Sequence, residues 1–124
     1  MRKGIFLAIS LGLVAALAGG SAMAAGDAEI GAKVFKKRCK TCHTVKAGKH
    51  KLGPSLAGMF GSKSGATDFK KYKGLKGSDF VWNEENLDKF LANPKKFVGK
   101  KSMTFKLKKA NERANVIEYL KTLK

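Results

Sequence analysis

The chain has 124 residues, 44% of them hydrophobic, with 26 basic and 9 acidic side chains and a formal net charge of +17. That length holds one domain and excludes a multi-domain machine, and a core built from so few residues is marginal by itself. A field of this size accelerates encounter with acidic partners and makes that encounter fall steeply with salt, although part of the lysine complement serves solubility alone.

The first 24 residues read as a cleaved secretory signal peptide. Arg2 and Lys3 form a positive n-region, an apolar stretch runs from Ile5 to Leu17, and Ala22-Met23-Ala24 is a small-x-small cleavage site. Cleavage there leaves Ala25 as the new N-terminus, with Gly26 as the second choice. An uncleaved anchor is the alternative, but the run is short for a span and is broken by Gly19 and Gly20. The folded domain is therefore expected over 25–124, exported to the periplasm, with no stable membrane insertion.

The first periodic segment runs from about Asp27 to Lys37, with Ile30, Val34 and Phe35 on one face. Gly31 inside it costs helix stability relative to alanine, which points to another helix crossing closely at that position. The segment leads directly into Cys39-Lys40-Thr41-Cys42-His43.

This C-x-x-C-H motif is the attachment signature of a c-type haem. Two thiols three positions apart lie on one side of a helical turn, where both can add to the vinyl groups on one edge of the macrocycle. His43 then stands under the iron as its first ligand. A thioredoxin-like motif would need a β-α-β setting, and no β-rich run flanks these residues. Zinc needs about four ligands, and outside this cluster the chain offers only His50. A Cys39–Cys42 disulfide would close a loop of little entropic value. A covalent haem also supplies the missing core: a large flat apolar body on which helices and loops pack. The haem-free chain is accordingly expected to fold poorly.

From Thr44 to Gly77 the chain reads as loop, punctuated by seven glycines. Leu52, Leu56, Met59, Phe60, Phe69 and Tyr72 are dispersed through it, as suits a loop wrapped around an apolar ligand. Asn83 is expected to cap a helix carrying Leu87, Phe90 and Leu91, closed by Asn93-Pro94. A last helix is expected from Asn111 as cap to about Leu123, with Val116, Ile117, Leu120 and Leu123 as its buried stripe. The fold class is all-α, three main helices plus long loops around one covalently bound haem.

Three residues compete for the second iron position. His50 lies only seven residues after His43, a link too short to round the macrocycle edge without strain. Met59 sits in the apolar run Leu56-Ala57-Gly58-Met59-Phe60, where methionine commonly fills a core gap. Met103 stands in the polar loop Gly99 to Phe105, where a lone thioether has no evident packing role. Met103 is preferred.

Further pieces complete a pattern: Gly53-Pro54-Ser55-Leu56, Phe60-Gly61, Trp82, Asn93-Pro94-Lys95-Lys96, Met103-Thr104-Phe105 and the run Val116 to Leu120 with Tyr119. Together with Gly31, Phe35 and the C-x-x-C-H motif they make residues 25–124 resemble a small class I cytochrome c, most of all the bacterial cytochrome c2 type. The resemblance implies thioether bonds at Cys39 and Cys42 and axial ligation by His43 and Met103. It implies a hydrogen bond from the His43 ring to the Pro54 carbonyl, contact of Gly31 and Phe35 with the last helix, and haem propionate contacts from Trp82 and Tyr72. Three departures bear on the potential: Ser62 where arginine is common, Phe90 in place of a tyrosine, and Lys101 where threonine is usual.

His–Met ligation leaves no open coordination site, which argues for a one-electron carrier and against an enzyme. The rival is a haem enzyme or gas-sensing haem domain with a labile sixth ligand; no aromatic-interleaved basic motif supports a nucleic-acid role. Lys36, Lys37, Lys40, Lys49, Lys51, Lys95, Lys96, Lys100, Lys101 and Lys106 surround the motif and the methionine loop. They are expected to orient the exposed haem edge of a monomeric carrier toward acidic docking surfaces. The resemblance suggests membrane-bound redox complexes as partners: a quinol-oxidising complex as donor, and a terminal oxidase or photosynthetic reaction centre as acceptor. Lys100 or Lys101 is a candidate to replace Met103 on the iron at alkaline pH.

Overall fold

A computed structural model describes residues 12, 25–72, 74–99 and 102–124. The expected signal segment, Gly12 apart, and the loop lysines Lys100 and Lys101 lie outside the described residues. Among the described residues there are four helices: α1 (Ala28–Arg38), α2 (Glu84–Ala92), α3 (Pro94–Val98) and α4 (Ala110–Lys121). Among the described residues, 39–83 contain no helix, and an isolated antiparallel bridge there joins Lys63 to Val81. No helix among the described residues is long and apolar enough to cross a membrane.

Helix α1 starts where its sequence tells it to. The Asp27 carboxylate accepts from the backbone N–H groups of Glu29 (2.8 Å) and Ile30 (3.0 Å), a cap worth about 1 kcal/mol. Lys36, Lys37 and Arg38 in the last turn complement the helix dipole. The buried positions are Gly31, Val34 and Phe35, spaced i, i+3, i+4. Ile30, expected on that face, is instead 47% exposed. The stripe is centred on Gly31 because α4 presses there, and a residue one position earlier is rotated out by about 100°.

The crossing of α1 and α4 is the most extensive helix pairing among the described residues. A side chain on Gly31 would run into the Asn115 carbonyl, and the Tyr119 Cβ lies beside it. Phe35 packs on Tyr119 with ring centroids 5.6 Å apart, and the Asn115 side chain accepts from the Asp27 N–H at 2.9 Å. Val116, Ile117 and Leu120 of α4 face inward onto Leu87, Phe90 and Leu91 of α2 and onto Trp82 and Leu107. Burying each such aliphatic side chain contributes about 1.5–3 kcal/mol. Phe80, Trp82, Phe90 and Phe97 form a closed edge-to-face aromatic cycle, with centroid distances of 4.8 Å (Phe80–Trp82), 4.9 Å (Trp82–Phe90), 6.3 Å (Phe90–Phe97) and 5.1 Å (Phe97–Phe80).

Two helix ends differ from expectation. Asn93-Pro94 closes α2 but also opens α3: Asn93 Oδ1 accepts from the Lys96 N–H at 3.1 Å, and proline takes the first helical position, where no N–H is needed. Helix α4 begins one residue before Asn111, with Lys109 at the N-cap and no side-chain cap. Its start is held from outside. Arg113 donates to the carbonyls of Leu107 (3.0 Å) and Lys108 (2.7 Å) while its Nε donates to Asp88 of α2 (2.7 Å). That tertiary clamp makes a local cap unnecessary. In the long loop, Leu52 is 73% exposed, whereas Leu56, Met59 and Phe60 pack against the core.

Candidate functional site

The five motif residues continue α1 as a tight turn. Cys39 N–H bonds the Phe35 carbonyl (2.8 Å), and the N–H groups of Cys42 (3.0 Å) and His43 (2.9 Å) both bond the Cys39 carbonyl. Backbone geometry thus brings both sulfurs and the imidazole into one compact unit at the end of a packed helix. Cys39 and Cys42 are free and half-buried. Burial, with the Cys42 charge second, pushes the Cys39 thiol up to about 11. Among the described residues no group of three or more His, Cys, Asp or Glu side chains converges as a metal cluster would.

His43 has a defined tautomer. Its Nδ1 lies 2.7 Å from the Pro54 carbonyl oxygen, and a carbonyl only accepts, so Nδ1 carries the proton. Burial lowers the His43 pKa from its ordinary 6.5, against a smaller upward pull from that hydrogen bond, so the ring is neutral near pH 7. Its Nε2 therefore bears a free lone pair, and this nitrogen makes no hydrogen bond among the described residues. A neutral imidazole oriented through its other nitrogen is the usual form of a metal-ligating histidine. Gly53 lies against this ring. A Cβ there would sit 2.8 Å from Nδ1 and 2.9 Å from Nε2, so a side chain would evict the imidazole. Gly53 N–H also bonds the Cys42 carbonyl at 2.9 Å, stitching the loop to the motif.

His50 is committed elsewhere. Its Nδ1 accepts from the Ser55 N–H at 2.9 Å, and its Nε2 contacts Asp68 Oδ1 at 2.6 Å. Since Nδ1 must hold the lone pair, the proton is on Nε2, and neither nitrogen has an electron pair to offer a metal. The partnership with Asp68 spans 18 positions and left no trace in local sequence pattern.

Met59 and Met103 are both half-buried and both pack against the same core cluster. Met103 thus has a packing role that its polar sequence setting did not suggest, and packing alone does not separate the two. Arg38, next to Cys39, comes beside Phe105, Lys106 and Leu107, so the end of α1 and the segment following Met103 are neighbours.

Trp82 is buried between Phe80 and Phe90, held by its N–H to the Ser62 carbonyl (2.9 Å) and its carbonyl to the Gly61 N–H (2.8 Å). Its indole N–H has no protein acceptor among the described residues. Tyr72 shares a 2.6 Å hydrogen bond with Thr67 and packs edge-on against Phe69, centroids 5.1 Å apart.

Lys36, Lys37, Lys40, Lys49, Lys51, Lys95, Lys96 and Lys106 are exposed. None of these takes part in the ion pairs found among the described residues, which involve His50, Lys63, Lys89, Arg113 and Lys121. Lys95, Lys96 and Lys106 share an open cleft of about 400 Å³ with Asn93 and Gly99.

These residues fit a covalently attached haem: two free cysteines on one turn, a neutral imidazole with a free nitrogen, and an indole donor with no protein acceptor among the described residues. The comparisons with known proteins agree. A family model described as Cytochrome c matches residues 28–124. Cytochrome c2 of Rhodospirillum rubrum is 43% identical over alignments covering 100% of both chains. Cytochrome c of Theileria parva is 45% identical over 77% of this chain and 85% of its own, and cytochrome c type-1 of Ascaris suum is 46% identical over 77% and 87%. A match running from α1 through the C-x-x-C-H turn to the last helix shows that the chain belongs to the cytochrome c family, whose members share this all-α fold and carry covalently bound haem c.

Proposed function

We propose that the protein is a periplasmic one-electron carrier that shuttles between membrane-bound redox complexes. The observation that carries this reading is the His43 geometry: a neutral ring pinned by Pro54, with a free Nε2, in the same turn as two free cysteines. Membership of the cytochrome c family supports an electron carrier rather than an enzyme.

Cys39 and Cys42 would hold the haem by thioethers, and His43 and Met103 would be its iron ligands. When bound, the haem supplies reversible one-electron exchange at a relatively positive potential. Pro54 keeps the His43 proton on Nδ1 and the lone pair on Nε2, and Gly53 keeps the space beneath the ring open. Trp82 and Tyr72 are assigned to the propionates. Ligation by His43 and Met103 would leave no place for a substrate at the iron, which would suit electron exchange rather than bond-making.

The exposed lysines around the motif, together with Lys95, Lys96 and Lys106, would steer this face toward acidic docking surfaces, and weak, fast contacts suit a shuttle that must leave as readily as it arrives. A quinol-oxidising complex is the proposed donor, and an oxidase or photosynthetic reaction centre the acceptor. Removal of residues 1–24 would deliver a monomeric domain, 25–124, to the periplasm.

The test is a redox titration of the purified holoprotein followed by stopped-flow reduction by an acidic redox protein at several salt concentrations. A single reversible one-electron couple, with a rate that falls as salt rises, is expected. Binding of carbon monoxide to the reduced protein at neutral pH, with no reversible couple, would instead establish the haem enzyme or gas sensor.

A further inference from the structure

We propose that His50 and Asp68 tune the electron donation of His43 through a single peptide group. This rests on the reading of His43 as an iron ligand. The Pro54 carbonyl and the Ser55 N–H are the two ends of one amide. The carbonyl accepts from His43 Nδ1 at 2.7 Å, and the N–H donates to His50 Nδ1 at 2.9 Å. Beyond it, His50 Nε2–H donates to the Asp68 carboxylate at 2.6 Å. Four groups therefore stand in line: carboxylate, imidazole, amide, imidazole.

The direction of influence follows from the donors and acceptors. A carboxylate accepting from Nε2–H enriches the His50 ring and makes Nδ1 a stronger acceptor. That acceptor draws on the Ser55 N–H and shifts amide electron density toward the Pro54 oxygen, because hydrogen bonds in series polarise one another. A more negative carbonyl pulls harder on the His43 N–H and raises the basicity of its opposite nitrogen, as partners of metal-ligating histidines do. Greater donation favours the oxidised metal. The middle of the line is shielded from water: Ser55 is 3% exposed, and the Phe69 ring lies 5.4 Å from His50. The far end is not, since the Asp68 side chain is 76% exposed. Residues 50 and 68 are thus positioning residues, acting on the metal only through the amide and His43.

The experiment compares the holoprotein with its His50→Leu, His50→Gln and Asp68→Asn variants. Midpoint potentials are measured at neutral pH in low and high salt, and His43 ring protons are followed by NMR of the oxidised protein. His50→Leu should raise the potential by about threefold in the reduction equilibrium constant, about 30 mV at 59 mV per tenfold for one electron. Gln retains a carbonyl that can accept from Ser55 and should recover part of that shift. Asp68→Asn lies on the surface, leaves the fold intact, and should raise the potential by a smaller amount that persists when salt screens exposed charge. The His43 proton shifts should move in the same order. Unchanged potentials in both His50→Leu and Asp68→Asn, with paramagnetically shifted His43 signals present, would overturn the relay alone. Absence of those signals in the parent protein would overturn His43 ligation, and the relay with it.

Discussion

Gly31 on α1 and Asn115 on α4 approach so closely that a methyl group on Gly31 would meet the Asn115 carbonyl oxygen. The obstacle is backbone, which cannot swing aside as a long side chain could. Gly31→Ala should therefore destabilise the holoprotein by about 1–3 kcal/mol, although alanine alone would favour the helix by up to about 1 kcal/mol. Chemical denaturation with the haem attached measures it. An unchanged or raised midpoint would show that the two helices can separate at small cost.

The two candidate methionines separate by the kind of damage each substitution causes. Met103→Ala should abolish the weak near-red sulfur-to-iron band of the oxidised protein and lower the potential. Met59→Ala should keep the band and cost about 1–3 kcal/mol of stability as a half-buried gap-filler. The opposite pattern reassigns the ligand.

At the start of α4, Arg113 and Asp88 do what a local cap would otherwise do. Their side chains are 13% and 22% exposed, and Arg113 also satisfies two backbone carbonyls. Arg113→Ala should cost about 1–3 kcal/mol, short of the full penalty for breaking a deeply buried pair. Asn111→Ala, on the exposed first turn, should change stability by less than about 0.5 kcal/mol. A larger loss at Asn111 than at Arg113 would restore Asn111 as the cap.

Acid unfolding has two identifiable carboxylate contributors, Asp68 and Glu85, each held low by a hydrogen bond, from His50 and Lys89 respectively. The hydrogen bond from His50 holds the Asp68 carboxyl below its ordinary value of 3.8, with smaller help from the charge of Lys70. A carboxylate with a depressed folded-state pKa stabilises the fold above its unfolded value, and that contribution is lost as pH falls through the folded one. Asp68→Asn should therefore flatten the stability–pH curve below 3.8, read from denaturant midpoints across that range. An unaltered acid limb would place the dependence on other groups.

The legible parts of this protein are those whose causes are local. Asp27 and Asn83 announce their helices because each cap bonds a backbone N–H two or three positions on. The C-x-x-C-H turn is legible because its chemistry fits within five residues. Gly31 marked a close crossing because a helix tolerates glycine there only for a reason of packing. Other features depend on partners distant in sequence. Arg113 moved the start of α4 through a contact 25 positions away, and His50 found Asp68 across a loop with no periodic pattern. The short helix α3 was legible in principle, since Asn before proline is as good a beginning as an ending. Ile30 looked buried because an apolar residue one position off the true stripe still falls on the helical template.

The central claim is that a haem is joined to Cys39 and Cys42 with His43 and Met103 on its iron. The most direct measurement takes the purified protein from a host able to mature such chains, extracts it with acidified acetone, and records the oxidised spectrum of an untreated sample. The haem should stay with the protein, lost only when Cys39 and Cys42 are replaced, and the spectrum should be six-coordinate and low-spin with the near-red sulfur band. Colourless protein, or haem released into the acetone, would contradict the account.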